Sequence, residues 1–136
     1  MNMNILLDTH IAIFAIKNRD KLSSDFINVL ENLDNKVYIS MASAWEVAIK
    51  SINHPDRIPV NEIQFLSLCK EMEFELLPIT PKHIINIRSL KLKNENVIHK
   101  DPFDRILLSQ SECENLTFCT RDTLLLNYDT QNIKIV

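Results

Sequence analysis

The feature that most constrains the fold of this chain is the alternation of short apolar runs with longer stretches in which apolar residues recur at helical spacing. The short runs lie near 4–8, 37–40, 75–79, 117–120 and 132–136. Helical spacing occurs near 9–17, 23–33, 41–52, 61–73, 81–90 and 102–114, and over a shorter stretch near 122–127. Strands that alternate with helices in this way form βαβ units with parallel strands. The sequence therefore predicts an α/β fold with a central, mostly parallel sheet.

Length and composition predict one ordinary globular domain. The chain has 136 residues, of which 46% are hydrophobic and 24% are charged, and a chain of this size can bury a substantial core. We therefore expect residues 1–136 to form a single domain. No apolar stretch approaches the roughly 20 residues of a membrane span, and the N-terminus does not resemble a secretory signal. We expect a cytoplasmic protein that does not bind membranes.

The chain contains no glycine, which excludes several classes of function. A P-loop and a dinucleotide-binding G-x-G-x-x-G turn both need glycines so that the backbone can approach a phosphate closely. The nucleophile elbow of α/β-hydrolases needs them as well. The three cysteines and four histidines also lack the spacing of a zinc site. A nucleotide-binding loop, a hydrolase elbow and a structural zinc are therefore not expected.

Four acidic residues lie where predicted strands end or predicted helices begin: Asp8, Glu46, Asp104 and Asp122. In an open α/β fold, the carboxyl ends of parallel strands face one crevice, so acids that are distant in sequence can meet there. Asp8 and Asp122 both follow strands that are expected to be neighbours. Converging carboxylates suggest a site for a divalent metal ion.

Three of these acids also have a simple structural explanation. Asp8 and Asp122 could accept hydrogen bonds from the first N–H groups of the helices that follow them. Glu46 could pair with Lys50 one helical turn later. The apolar residues around Glu46 predict a buried stripe with Glu46 at its edge. That stripe consists of Trp45, Ala48, Ile49 and Ile52.

Asp104 likewise fits the start of a helix. Asp101 is a good N-cap, Pro102 is favoured at the first helical position, and an acid at the third position interacts favourably with the helix dipole. A further helical stripe is predicted to be part of the core after the capping residue Ser23. That stripe consists of Phe26, Ile27, Leu30 and Leu33.

Four motifs occur in order along the chain, and together they resemble those of PIN-domain proteins, specifically the VapC-like toxins of type II toxin–antitoxin systems. The motifs are LLDTH at 6–10, SAWEVAIK at 43–50, HKDPFDRILLSQ at 99–110 and TRD at 120–122. The resemblance implies a three-layer α/β/α fold. It also implies a metal-dependent endoribonuclease whose acids match Asp8, Glu46, Asp104 and, more variably, Asp122.

The acids suit Mg²⁺ or Mn²⁺, which are hard cations that prefer oxygen ligands. We assign Asp8 and Asp104 as the principal ligands. Glu46 is expected to bind the metal or to hold a water on it, and Asp122 is expected to serve a second position or the outer shell.

Several neighbours of the acids are candidates for orienting groups. The hydroxyls of Thr9, Ser43 and Thr120 could orient water or a phosphate. Arg105 could bind the scissile phosphate or pair with Asp101. His99 lies in a predicted loop, where it could approach RNA but where a lone histidine is more often solvated.

The resemblance also implies partners. The substrate would be RNA, and single-stranded loops would fit best because their bases can be splayed and stacked. A small antitoxin protein would hold the enzyme inactive. A homodimer is expected, with candidate contacts on an apolar helical face. Those candidate contacts are Ile63, Phe65, Leu66 and Leu68.

Two alternatives remain open. A non-catalytic PIN-fold module that binds a partner would keep the fold, and the only argument against it is that all four acids are present. A metal-dependent phosphatase or a phosphotransfer protein would also gather acids at strand ends. Such proteins need adjacent acids or an Asp-x-Asp near the first strand, and the sequence Asp8-Thr9-His10 provides neither.

Overall fold

The computed structural model of the protein describes residues 2–96, 99, 101–130 and 132–136. Lys100, which belongs to the third motif, lies outside the described residues. Within these ranges the chain forms five strands and six α-helices. The strands are β1 (Asn4–Leu7), β2 (Lys36–Ser40), β3 (Glu75–Leu77), β4 (Thr117–Thr120) and β5 (Ile133–Ile135). The helices are α1 (Thr9–Lys17), α2 (Ser24–Glu31), α3 (Met41–Asn53), α4 (Glu62–Glu71), α5 (Pro81–Asn86) and α6 (Pro102–Glu114).

The strands form one sheet in the order β3-β2-β1-β4-β5, and every neighbouring pair is parallel. Leu6 of β1 lies opposite Tyr38 of β2 on one side and Phe118 of β4 on the other. The predicted parallel sheet is confirmed. Because β1 lies between β2 and β4, the carboxyl ends of these three strands open towards one region of the molecule.

The central strand is buried on both faces. Ile5 and Leu7 belong to a core cluster that includes side chains of α1, α2, α3 and α4. Leu6 belongs to a second cluster, which includes Leu107 and Leu108 of α6. Successive side chains of a strand point to opposite faces of the sheet, so helices cover both faces. A short, continuous apolar run is what such a doubly covered strand requires.

Polar residues begin the helices as the sequence predicts. Asp8, Ser23 and Asp101 are the N-caps of α1, α2 and α6, and each side chain accepts a hydrogen bond from a backbone N–H of the first turn. Asn61 and Gln64 form a reciprocal capping box at α4, with bonds of 2.9 and 3.0 Å. These caps satisfy backbone donors that a helix start would otherwise leave unpaired.

Helical boundaries differ from the sequence patterns in several places, and in two of them a 3₁₀ turn replaces part or all of the predicted helix. The pattern near 81–90 becomes α5 followed by a 3₁₀ turn over Ile87–Ser89, and the short stretch near 122–127 is a 3₁₀ turn over Thr123–Asn127. Leu33 is 93% exposed, so its assignment to the core was wrong. The reason is that α2 ends at Glu31, and Leu33 therefore no longer lies on the helical face that carries Phe26 and Leu30.

The buried face of α3 is not the predicted one. Trp45 is 60% exposed and Ile52 is 74% exposed, whereas Ala42, Glu46 and Val47 are buried. The prediction of a stripe through Trp45 and Ile52 was wrong, because α3 turns its small residues and Glu46 inward. Glu46 therefore lies inside the fold rather than at the edge of an apolar stripe.

One of the predicted dimer contacts is unavailable. Phe65 is completely buried in the core cluster that includes α1 and α3, so it cannot contact a second copy. Leu66 and Leu68 are partly buried against the same cluster. Ile63 is 72% exposed. Separately, no helix within the described ranges combines the length and the apolarity needed to cross a bilayer.

Candidate metal centre

Asp8 directly follows β1 and is held from three sides. Its backbone N–H donates to the carbonyl oxygen of Cys119 at 2.9 Å, which continues the pairing of β1 with β4. Its Oδ1 accepts from the N–H of Thr9 at 2.7 Å, and its Oδ2 accepts from the hydroxyl of Thr120 at 2.6 Å. Burial raises the pKa of the Asp8 carboxyl, and the bonds from Thr120 and Thr9 oppose this rise. Asp8 is therefore a fixed, buried carboxylate with its orientation set by β4.

Thr120 connects Asp8 to the fourth acid. The Thr120 hydroxyl that donates to Asp8 also accepts from the backbone N–H of Asp122 at 3.1 Å. The Asp122 Oδ1 atom caps the following 3₁₀ turn by accepting from the N–H of Leu124 at 3.0 Å. Asp122 therefore uses one carboxylate oxygen to cap the 3₁₀ turn, as the sequence suggested. The hydrogen bonds of Thr120 place Asp122 beside Asp8 at the end of β1.

Thr9 and Ser43 bond to each other. The Thr9 hydroxyl donates to the Ser43 hydroxyl oxygen at 2.8 Å, and both side chains are buried. The contact joins the first turn of α1 to the first turn of α3. The contact fixes the position of α3, which carries Glu46, relative to α1, which follows Asp8.

Glu46 is buried, and only one of its oxygens has a partner. Its Oε2 lies 2.6 Å from Nζ of Lys50, as the i,i+4 spacing predicts. Its Oε1 is also buried and finds no hydrogen-bond partner among the described residues. A buried carboxylate oxygen without a partner costs about 1–3 kcal/mol or more. This atom therefore indicates a place where a cation or a water would be bound.

Asp104 lies where the other acids converge. It is at the third position of α6, and its N–H is 3.4 Å from Oδ1 of Asp101, which caps the helix. Burial raises the pKa of Asp104 from 3.8 to about 8, and the negative charges of Asp8, Asp101, Glu46 and Asp122 add to the rise. The four acids selected from the sequence therefore lie close enough together to repel one another.

His99 is a member of the site that the sequence did not identify. Its Nε2 lies 3.3 Å from Oδ2 of Asp104, and its side chain is only 6% exposed. Its Nδ1 lies 2.9 Å from the hydroxyl of Tyr128. The expectation that His99 would be solvated was wrong, because Tyr128, which is 29 residues away, holds it against the acids. Nothing in the local spacing signals that contact.

The PIN domain family matches the sequence over residues 5–130. The chain belongs to the PIN domain family. A chain in the crystal structure of VapBC2 from Rickettsia felis bound to a DNA fragment from their promoter has the same fold, with a TM-score of 0.70 over 98% of both chains and 17% sequence identity. The predicted three-layer α/β/α fold is therefore confirmed. No curated protein matches the sequence.

Arg105 of this PIN domain does not make the contact considered for it from the sequence. Within the described ranges, the ion pairs do not include one between Arg105 and Asp101. The Arg105 Nε atom is buried and has no hydrogen-bond partner there. Burial raises the pKa of Tyr128 and the nearby positive charge of Arg105 opposes this rise. Arg105 therefore lies on the side of the site that holds Tyr128.

Two aromatic rings join the helices that carry Glu46 and Asp104. Trp45 and Phe103 make an edge-to-face contact with ring centroids 5.1 Å apart, a geometry that aromatic pairs favour. Each ring immediately precedes one of the acids in sequence. The pair fixes the distance between α3 and α6, and it leaves much of the Trp45 ring open to solvent.

A groove of about 420 Å³ lies beside the acids of the PIN domain. Thr9 lines the groove, as do four residues that carry positive charge or can acquire it. These are His10, Lys50, His54 and Arg57. The rest of the lining is largely apolar and includes Ile13, Phe14, Ile58 and Pro59. Lys50 also holds Glu46, so the groove and the acidic centre share a boundary.

The donor groups of the centre fit a divalent metal ion. Asp8, Glu46, Asp104 and Asp122 supply carboxylate oxygens, which Mg²⁺ and Mn²⁺ prefer. The unpartnered Oε1 of Glu46 provides an acceptor that no described side chain occupies. Burial raises the pKa of Asp104 and the neighbouring negative charges raise it further, and a bound cation would oppose both effects by stabilising the charged carboxylate.

Proposed function

We propose that this PIN domain is a divalent-metal-dependent endoribonuclease that hydrolyses RNA phosphodiester bonds, and that residues 1–136 act as one domain. The observation that carries the proposal is the position of Asp104 among other acids. Burial raises the pKa of Asp104 to about 8, and the negative charges of Asp8, Asp101, Glu46 and Asp122 add to the rise. Carboxylates that lie close together raise one another's pKa, and a bound cation would offset that cost. Membership of the PIN domain family supports the same chemistry.

The proposed roles follow from the contacts of each acid. Asp8 and Asp104 bind the metal, Glu46 binds it or holds a water on it through Oε1, and Asp122 serves a second position. Thr120 orients Asp8, and the bonded pair of Thr9 and Ser43 keeps α1 and α3 in register. When bound, a divalent ion would activate a water and stabilise the leaving oxygen.

RNA is the proposed substrate because binding groups for a polynucleotide lie next to the acids. The groove with Lys50 and Arg57 could hold backbone phosphates. The exposed ring of Trp45 offers a surface on which a base can stack, which is how single strands are commonly bound. Arg105 could contact the scissile phosphate.

Nuclease assays test the proposal. We expect cleavage of mixed structured RNAs with Mn²⁺ or Mg²⁺, loss of cleavage in EDTA, and loss of at least a hundredfold in Asp8→Asn and Asp104→Asn. Asp25→Asn is the matched control, because Asp25 is an exposed acid in the first turn of α2. Activity that survives both EDTA and the two substitutions would contradict the proposal.

The alternatives predict different results in the same experiment. A metal-dependent phosphatase would release phosphate from a phosphomonoester and leave RNA intact. A non-catalytic partner-binding module would hydrolyse neither substrate even with Mn²⁺ bound. Cleavage of RNA without phosphomonoester hydrolysis would support the nuclease.

We further propose that the enzyme is the toxin of a toxin–antitoxin pair, inhibited by a small antitoxin protein. The order of the four motifs supports the VapC-like resemblance, and the fold is that of a chain in a VapBC2 structure. An uncompensated acidic cluster would bind a basic side chain inserted by such a partner. Expression of the chain alone should arrest growth, and co-expression with its genomic neighbour should restore it. Equal growth with active protein present in both cases would refute this proposal.

A homodimer and a cytoplasmic location also belong to the proposal. Ile63 is the exposed member of the predicted apolar face. A dimer would sediment at about twice the monomer mass of 15.8 kDa, and Ile63→Lys should weaken it. Sedimentation of the wild type as a monomer at micromolar concentration would count against a dimer.

A further inference from the structure

We propose that His99 supplies a nitrogen ligand to the metal, so that the ion lies among His99, Asp104 and Asp122 and not among carboxylates alone. This inference rests on the proposed metal-dependent function and specifies the ligand set of that site. It departs from the roles proposed above, in which no histidine took part and Asp122 served only a second position.

The distances support a shared ion. One ligand atom from each of these three residues can be chosen so that all three lie within 4.8 Å of one another. Ligands about 2.2 Å from a common ion are at most about 4.4 Å apart. Small side-chain movements would therefore bring all three atoms into the first coordination sphere. The Nε2 atom of His99 is already only 3.3 Å from Oδ2 of Asp104.

Tyr128 holds the imidazole in the orientation that ligation requires. If Nε2 binds the metal, Nδ1 must carry the proton and donate it to the Tyr128 hydroxyl oxygen, which lies 2.9 Å away. Metal-binding histidines generally use their second nitrogen in this way. The Tyr128 ring is buried in the core cluster with Leu107 and Leu125, so the orientation is set by packing. Tyr128 is therefore a positioning residue.

The surroundings indicate a cation and not merely a hydrogen bond between His99 and Asp104. A neutral imidazole would leave the charges of Asp104 and Asp122 uncompensated beside Asp8 and Glu46. The buried Oε1 of Glu46, which has no partner among the described residues, is an independent sign that a positive group belongs here. A bound ion would compensate the charges of Asp104 and Asp122 and would take Nε2 of His99 as a further ligand.

A nitrogen ligand changes which metal the site prefers. Imidazole favours first-row transition metals, with affinity rising from Mn²⁺ to Co²⁺, whereas Mg²⁺ prefers oxygen. The His99 side chain should therefore increase the affinity for Mn²⁺ and Co²⁺ relative to Mg²⁺. A site made only of the four carboxylates would show this preference more weakly.

Pulsed EPR of the Mn²⁺-loaded protein tests the inference directly. We expect a ¹⁴N coupling to Mn²⁺ in the wild type that disappears in His99→Gln and persists in His10→Gln. The His10 variant is the matched control. His10 is close enough to the site for its charge to affect the pKa of Asp8, but it is exposed and does not belong to the group of possible ligands. Wild-type protein that binds Mn²⁺ without a ¹⁴N coupling would overturn the inference while leaving the proposed nuclease intact.

Titration calorimetry with Mn²⁺, Co²⁺ and Mg²⁺ gives a second measurement. Affinity for Mn²⁺ and Co²⁺ should fall at least tenfold in His99→Gln and severalfold in Tyr128→Phe, whereas affinity for Mg²⁺ should change less than threefold. Equal losses for all three ions would refute the nitrogen ligand. If the wild type bound none of the ions, the proposed function would fail together with this inference. If His99→Gln does not fold, the ¹⁴N coupling of the wild type and the metal affinities of Tyr128→Phe still decide the question.

Discussion

Replacing Asp104 with asparagine should stabilise the metal-free protein, although the substitution removes a charge from the start of a helix. Burial and four neighbouring acids raise the pKa of Asp104 from 3.8 to about 8. A carboxyl whose pKa is higher in the folded state binds its proton more tightly there. The contribution of Asp104 to the free energy of unfolding is therefore fully present below pH 3.8 and is lost as the pH rises towards 8.

The size of the effect follows from that window. Between pH 3.8 and pH 7 the loss spans about three pH units, or about 4 kcal/mol. Asparagine does not ionise and avoids this loss. One effect opposes the gain: a weaker bond to His99 costs about 1 kcal/mol. No interaction with the dipole of α6 is lost at pH 7, because a carboxyl with a pKa of about 8 is mostly protonated there. The net expectation is a stabilisation of about 3 kcal/mol, or roughly 6–12 °C in Tm for a domain of this size.

Thermal melts in EDTA between pH 4 and pH 8.5 measure the prediction. At pH 4 Asp104→Asn should melt slightly below the wild type, and the order should reverse as the pH rises. Asp25→Asn is the control, because Asp25 interacts with the dipole of α2 but is exposed. That variant should be slightly less stable than the wild type.

Millimolar Mn²⁺ should reverse the order of stability, because it binds the native site of the wild type more tightly than that of the mutant. The reasoning would be refuted if Asp104→Asn melted lower than the wild type in EDTA at pH 7 and Mn²⁺ did not stabilise the wild type. Asp104 would then be only a favourable acid at a helix start.

Three further substitutions test other parts of the structure. Glu73 has a φ of 61°, so Glu73→Gly should relieve backbone strain and raise the free energy of unfolding in urea by about 0.5–1 kcal/mol; a decrease would contradict this. Asn61→Ala removes the 2.9 Å bond to the N–H of Gln64 and should lower the same free energy by about 1 kcal/mol. Thr120→Val removes the 2.6 Å bond to Asp8 and should weaken Mn²⁺ binding about tenfold by calorimetry; unchanged affinity would argue against Asp8 as a ligand.

The sequence alone determined the order of the elements and the position of the acids along them. Short apolar runs such as 4–8 predicted the strands, and caps such as Ser23 and Asp101 marked helix starts. These signals are local, because periodicity and capping depend on residues within about one helical turn of each other. A parallel sheet then brings its carboxyl ends to one edge, so the meeting of Asp8 with Asp122 could be predicted as well.

Only the tertiary structure decided which side of each helix lies inside and which distant residues complete the site. Trp45 and Glu46 are adjacent in sequence, yet packing exposes the tryptophan and buries the acid. The bond between Thr120 and Asp8 joins residues 112 positions apart, and the contact between His99 and Tyr128 joins residues 29 apart. No local pattern encodes such contacts, because they arise from the rotation and packing of whole elements against a shared core. The charge state of Asp104 is likewise a property of the assembled site, since its pKa depends on burial, on nearby Asp101 and on acids from three other parts of the chain.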